Sequence, residues 1–191
     1  MGTFYTNITL RETDGGQVKL DLATRGLTAF VSRSEHDALV VFERVAEEQD
    51  PVVLDDLAAV LSARFRCVAL AVTNHDDSVL MYSLFERGQR VDDYNSAPDY
   101  FGELADDLDR GGDHERLARA FGVPDRASQL AVILQASEAD EGFVFETDRH
   151  EQLVGVLGIP RCAVGAGYTY LAASEYPAGY GAEDFEHVGE A

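Results

Sequence analysis

Residues 50–95 run from a capped helix straight into three strands, and this succession limits the fold more than any other part of the chain. In "DPVVLDDLAAVLSARF" (50–65), Asp50 stands at the cap and Pro51 at the first helical position. Leu54, Leu57, Ala58, Leu61 and Phe65 recur on one helical face. "CVALAVTN" (67–74) follows without a charge and reads as a central strand. "VLMYSLFE" (79–86) and "QRVDDYN" (89–95) are strands joined by the two-residue turn Arg87-Gly88. That turn pairs Glu86 with Gln89 and, counted back, sets Leu80 opposite Asn95.

Upstream, "TFYTNITLR" (3–11) is rich in aromatic and β-branched residues and reads as a strand. "QVKLDLATRG" (17–26) predicts a short helix ending at Gly26, although positions 18, 20 and 22 also alternate. "LTAFVSR" (27–33) and "ALVVFER" (38–44) are strands around the turn "SEHD". The order strand, helix, strand, strand, helix, strand predicts an α+β chain with a ferredoxin-like βαββαβ sheet, two helices on one face, extended by the 79–95 hairpin.

After Pro98 the character changes, which predicts a division into a sandwich over 1–98 and a mainly helical part over 99–191, packed on the first. An acidic loop spans 103–113, and helices are expected at 114–121, 125–136 and 148–157, the last with Asp148 and Glu151 as a capping box. "FVFE" (143–146) predicts a short strand, "CAVGAGYTYLAA" (162–173) a final strand, and the remaining residues a loose tail. "HERLARAFGVP" (114–124) and "HEQLVGVLGIP" (150–160) echo one another. A glycine stop followed by a β-branched residue and proline is a common way to end a helix, and a duplicated unit is the alternative.

Thirty-five Asp and Glu against fifteen Lys and Arg leave a net charge of -20, with Lys19 the only lysine. Such a field repels nucleic-acid phosphates and anionic lipid surfaces and favours a divalent cation or a basic protein partner. Salt adaptation and high-GC coding produce the same bias. Cys67 and Cys162 have no CxxC spacing and read as reduced core thiols. The N-terminus has no signal-peptide pattern and no run of residues spans a membrane, so the expected location is the cytoplasm. Exposed sheet edges leave a homodimer open.

The chemistry-bearing stretch is 74–101. A meander brings its two acidic segments toward one rim, gathering Asn74, His75, Asp76, Asp77, Asp92, Asp93, Asn95 and Asp99, although Asp92 and Asp93 point to opposite faces and only one of them can join a given cluster. Asp76, Asp77, Asp93 and Asp99 are candidate oxygen ligands for a divalent cation, and His75 a candidate proton shuttle. Ordinary turn chemistry of Asn and Asp explains the same residues. Tyr82, Tyr94, Asn95 and Phe101 are candidate pocket residues beside this rim.

Other motifs fail on inspection. "DLDRGGDHE" (107–115) matches part of a calcium loop but has Ala118 where a bidentate Glu is required. The two His-Glu pairs lack a second His four residues on. "LARAFGVPDRASQLAVIL" (117–134) resembles a bacterial repressor helix-turn-helix, yet its second helix turns apolar and the chain offers little to neutralise phosphates. "GAGYTY" lacks the third glycine of a dinucleotide fingerprint. The stretches "MGTFYTN", "NHDD", "DDYNSAPDYF" and "LGIP" together resemble a family of small acidic bacterial proteins, a resemblance that implies no activity. Three functions stay open: a non-enzymatic interaction or regulatory protein, a metal-binding protein or enzyme at the acidic rim, and a small-molecule sensor.

Overall fold

The computed structural model describes residues 2–102, 109–136 and 142–189. Seven strands, β1 (Tyr5–Arg11), β2 (Ala29–Ser32), β3 (Ala38–Glu43), β4 (Val68–His75), β5 (Val79–Glu86), β6 (Gln89–Asn95) and β7 (Phe185–Val188), form one antiparallel sheet of order β6-β5-β4-β1-β3-β2-β7. The helices are α1 (Gly15–Thr24), α2 (Pro51–Phe65), α3 (His114–Ala120), α4 (Ala127–Gln135), α5 (Glu146–Leu157) and α6 (Tyr168–Ala172). The chain is therefore mixed α+β. Among the described residues, no helix is long and apolar enough to cross a membrane.

Helix α2 forms where its caps dictate. The Asp50 carboxylate accepts from the Val52 N–H at 2.9 Å, Pro51 opens the helix, and Arg66 ends it in the left-handed conformation. Leu54, Ala58 and Leu61 face the sheet and share a core with Val18 and Leu22 of α1 and with Ile8, Leu10, Val41 and Ala69 of the strands. The opposite face carries a second core, in which Val40, Phe42, Leu70, Val72 and Leu84 meet Leu117, Leu130, Leu153 and Leu171 of α3 to α6. The sheet is thus buried on both faces, by α1 and α2 on one and by the C-terminal helices on the other.

Several expectations need correction. The β5–β6 turn has Arg87 and Gly88 at positive φ as expected, and Glu86 does pair with Gln89. A bulge at Val91 then shifts the register by one, so Met81, not Leu80, lies opposite Asn95. Residues 143–146 are not a strand, because the Glu146 N–H is taken by the Asp77 carbonyl at 3.1 Å and α5 begins there. Asp148 is consequently inside the first turn, and Phe145 stands at the cap without a capping side chain. Residues 162–173 are not a strand either: they give a short 3₁₀ turn (Arg161–Ala163) and α6, whose Thr169 N–H and hydroxyl both reach the Glu47 carboxylate. The tail is not loose. Its strand β7 pairs with β2 from Ala29↔Val188 to Ser32↔Phe185, and Phe185 packs against Phe42, Tyr176 and Tyr180.

The two echoing segments both end helices at a left-handed glycine, Gly122 and Gly158, each at φ 71°. The 117–134 segment packs Leu130, Ile133 and Leu134 into the second core. Most of the acidic loop predicted at 103–113, including Asp107 of the partial calcium match, lies outside the described residues.

Tyr5 on β1 is closed to solvent, and its hydroxyl meets Nδ1 of the fully buried His150 of α5 at 2.8 Å. Burial drives the imidazole down to about 3 from its ordinary 6.5. A base with a depressed folded-state value supports folding above its unfolded value and loses that support as pH falls. Stability is expected to drop by roughly 2–3 kcal/mol from this residue alone between pH 6.5 and 4.5. Urea unfolding of the wild type and His150→Leu across that window measures it; parallel pH profiles contradict it.

Candidate functional site

The structure distributes the acidic residues of 74–101 among separate structural tasks. Asp77 sits in a left-handed turn between β4 and β5, and its carboxylate accepts from the Thr147 N–H at 2.8 Å and the Thr147 hydroxyl at 2.5 Å. It therefore does for α5 what a capping side chain does elsewhere, from seventy residues away. Asn74, fully buried, accepts from the Asp77 N–H and donates to the Tyr5 hydroxyl at 3.3 Å. Asp76 and Asp99 are exposed. Asp92 turns toward the C-terminal layer, where it accepts from the Tyr82 hydroxyl at 2.8 Å and the Asp113 N–H, and burial raises its pKa. Asp93 faces the other way. Among the described residues, no three His, Cys, Asp or Glu side chains come together to hold a metal ion.

His75, at the end of β4, is half-buried. Gln49 donates its amide N–H to the Asn74 carbonyl at 2.8 Å, so its oxygen faces Nδ1 of His75 at 2.7 Å and that nitrogen carries the hydrogen. The imidazole is edge-on to Phe4, Tyr100 and Phe101 at centroid distances of 5.0, 5.9 and 5.2 Å. The Gln49 amide thus fixes the tautomer, with Nδ1 as donor and Nε2 as the acceptor nitrogen.

What these segments do build is a groove on the α2 face of the sheet, of about 480 Å³. Its floor is the set of side chains that alternation sends to this face: Ala71 and Thr73 of β4, Met81 and Ser83 of β5, Asp93 and Asn95 of β6. The Val91 bulge makes this set, because it pairs Ser83 with Asp93 and Met81 with Asn95. Helix α2 supplies one wall with Pro51, Leu54 and Asp55, and Gln49 and Phe101 close the end next to His75. Tyr82 and Tyr94 border the groove, but their rings stack at 5.4 Å in the opposite core, where the Tyr94 hydroxyl donates to the Leu134 carbonyl. Of the pocket residues expected from sequence, Asn95 and Phe101 present side chains to it.

Asp55 and Arg90 were not singled out from sequence and are the groove's charged pair. Asp55 accepts from the Ser83 hydroxyl and from the Arg90 guanidinium, each at 3.2 Å. Burial nonetheless raises its pKa, Arg90 and Ser83 opposing that effect. Asp55 was recognisable only as a charge beside Leu54 at the edge of the helical apolar stripe. No His, Cys or Lys lines the groove among the described residues, and Ser83 has no imidazole to activate it. The arrangement suits binding: an apolar trough with a few fixed polar groups.

Comparison of the chain with protein-family models, with curated proteins and with solved structures finds no match.

Asp77→Ala is expected to lower stability by about 1–2 kcal/mol, the loss of a helix cap. Asp76→Ala and Asp99→Ala should change it by less than about 0.5 kcal/mol, as for surface residues. Urea denaturation at pH 7 separates them; three equal effects would remove the capping role from Asp77.

Proposed function

We propose that this is a non-enzymatic regulatory protein that binds a small organic molecule in the groove between α2 and the outer strands β5 and β6. The observation that carries this reading is the groove itself. Its volume of about 480 Å³ falls within the roughly 300–1,000 Å³ of small-molecule sites. Leu54, Ala71, Met81 and Phe101 offer apolar contact, while Asp55, Asp93, Asn95 and Arg90 offer hydrogen bonds of defined direction. We read residues 1–98 as a ferredoxin-like βαββαβ sandwich with an added hairpin, supported by the β4-β1-β3-β2 order at the centre of the sheet. Residues 99–191 are then the part added to its free face. The net charge of -20 supports a basic protein as the partner that reads the bound state.

A thermal-shift screen of cationic, neutral and anionic organic molecules tests the reading. A ligand at a hundred times its Kd adds about 2.7 kcal/mol of stability. For a chain of this size that raises Tm by about 5–10 °C. Met81→Trp, which fills the trough, should abolish the shift without lowering the unliganded Tm by more than a few degrees. A screen without hits, or hits that Met81→Trp leaves unchanged, contradicts the proposal.

A further inference from the structure

A second concavity, of about 440 Å³, opens at the other end of the sheet and on its other face, where Arg11 ends β1. It is lined by the side chains of Arg11, His36, Phe121, Val123, Arg126 and Leu157, and no Asp or Glu lines it among the described residues. In a chain with thirty-five acidic residues against fifteen basic ones, a groove with two guanidinium groups and no carboxylate is a local reversal of sign.

Both guanidinium groups are held in place by backbone carbonyls. Arg11 donates from Nη1 to the Ala120 carbonyl at 2.9 Å, at the end of α3. Arg126 donates from Nη1 to the Val156 carbonyl at 3.1 Å, near the end of α5. A carbonyl fixes the fork without neutralising it, and a guanidinium has five N–H donors. Arg126 makes no ion pair among the described residues; Arg11 has one, to Glu12, whose side chain is 68% exposed. An exposed pair of that kind is weak and yields to a better-placed anion.

The two echoing segments of the sequence meet here. Each ends its helix at a left-handed glycine; Gly158 borders the groove, and Gly122 lies between Phe121 and Val123, which line it. A Cβ on Gly122 would stand 2.9–3.3 Å from the Arg11 guanidinium, so the missing side chain is what lets Arg11 lie against the end of α3. The apolar residues beside these stops, Phe121, Val123 and Leu157, line the space between the two arginines.

We propose that this groove binds a small organic carboxylate with a short apolar body. The carboxylate takes the remaining N–H donors of Arg11 and Arg126, whose planar forks match its two oxygens. The body lies against Phe121, Val123 and Leu157. The overall negative charge opposes approach of any anion from a distance, but at physiological salt that field is screened beyond about 8 Å. Within the groove the charges are the two arginines, with Glu12 on the outer side of Arg11 as the carboxylate an incoming anion must displace.

An NMR titration of the full chain, with methyl groups labelled, tests this with hexanoate as the probe and with hexylamine and inorganic phosphate as controls. Hexanoate should move the Val123 and Leu157 methyl signals with a Kd below about 1 mM, leaving the Met81 methyl in place. Arg126→Gln and Arg11→Gln, checked for retained methyl dispersion, should each weaken binding about ten- to a hundredfold, the loss of a charge-assisted pair. Absence of shifts at Val123 and Leu157 overturns the proposal, as does equal binding of hexylamine or affinity unchanged in both variants. Phosphate matching hexanoate removes the apolar body from the assignment. Shifts confined to Met81 overturn it too, while leaving the α2 groove as a site.

Discussion

Strand β1 lies between β3 and β4, closed to solvent on both faces over all but its last residue, yet one of those faces is polar. Tyr5, Asn7 and Arg11 point to the side opposite α1 and α2. A buried polar group without a partner costs roughly 1–3 kcal/mol. The C-terminal layer supplies partners for three donors or acceptors of this row: His150 for the Tyr5 hydroxyl, the Ala163 carbonyl for the Asn7 amide N–H at 2.8 Å, and the Ala120 carbonyl for Arg11, while the Asn7 Oδ1 has no partner among the described residues. An apolar face would accept helices in many positions; this polar row accepts one. It holds the end of α3 through Ala120 and the first half of α5 through His150, and Arg11 at its end opens onto the second groove.

On the other face α2 reaches the outer strands through few side chains, Asp55 bonding Ser83 and Arg90. Helix α2 packs along β4 and β5, and its C-terminal half comes so near the β5–β6 turn that a Cβ on Gly88 would stand 2.8 Å from that of Ala63. Farther out, the face is left to Met81, Ser83, Asp93 and Asn95, and the trough is their common surface. One extra residue, Val91, decides which side chains these are. Without that bulge Asp93 would lie opposite Tyr82 and share its face, and the aromatic pair Tyr82–Tyr94 would not form in the C-terminal core. The segment Arg110–Gly112 also bonds along β6, through the Arg110 carbonyl to Asn95 and the Gly112 N–H to Asp93, and covers part of that edge of the sheet.

Local signals made the first half of the chain legible. Asp50, Pro51 and the Leu54–Leu61 stripe announce α2, and Arg87-Gly88 announces its hairpin, because the interactions that form these elements lie within a few residues. The second half was misread where the deciding partner is distant in sequence. Helix α5 starts at Glu146 because Asp77 takes its first N–H groups, and α6 forms around the Glu47 carboxylate. Strand β7 has two exposed residues in four and exists by pairing with β2 and by the packing of Phe185. The candidate site divided in the same way. Asn95 and Phe101, expected at a pocket, line the α2 groove. Sequence composition could not foresee that Asp77 is occupied as a cap, that His75 is bound to Gln49, or that Asp55 of α2 faces Ser83.

A double-mutant cycle on Tyr5 and His150, with Tyr5→Phe and His150→Leu measured singly and together by urea unfolding at pH 7, probes the docking of the two layers most directly. If the polar row of β1 positions the C-terminal helices, the pair couples by about 1–2 kcal/mol, the size found for contacting groups in one hydrogen-bond network. Effects that add to within about 0.5 kcal/mol would mean that the two residues do not act on one another, and the account of how the layers find their places would fail.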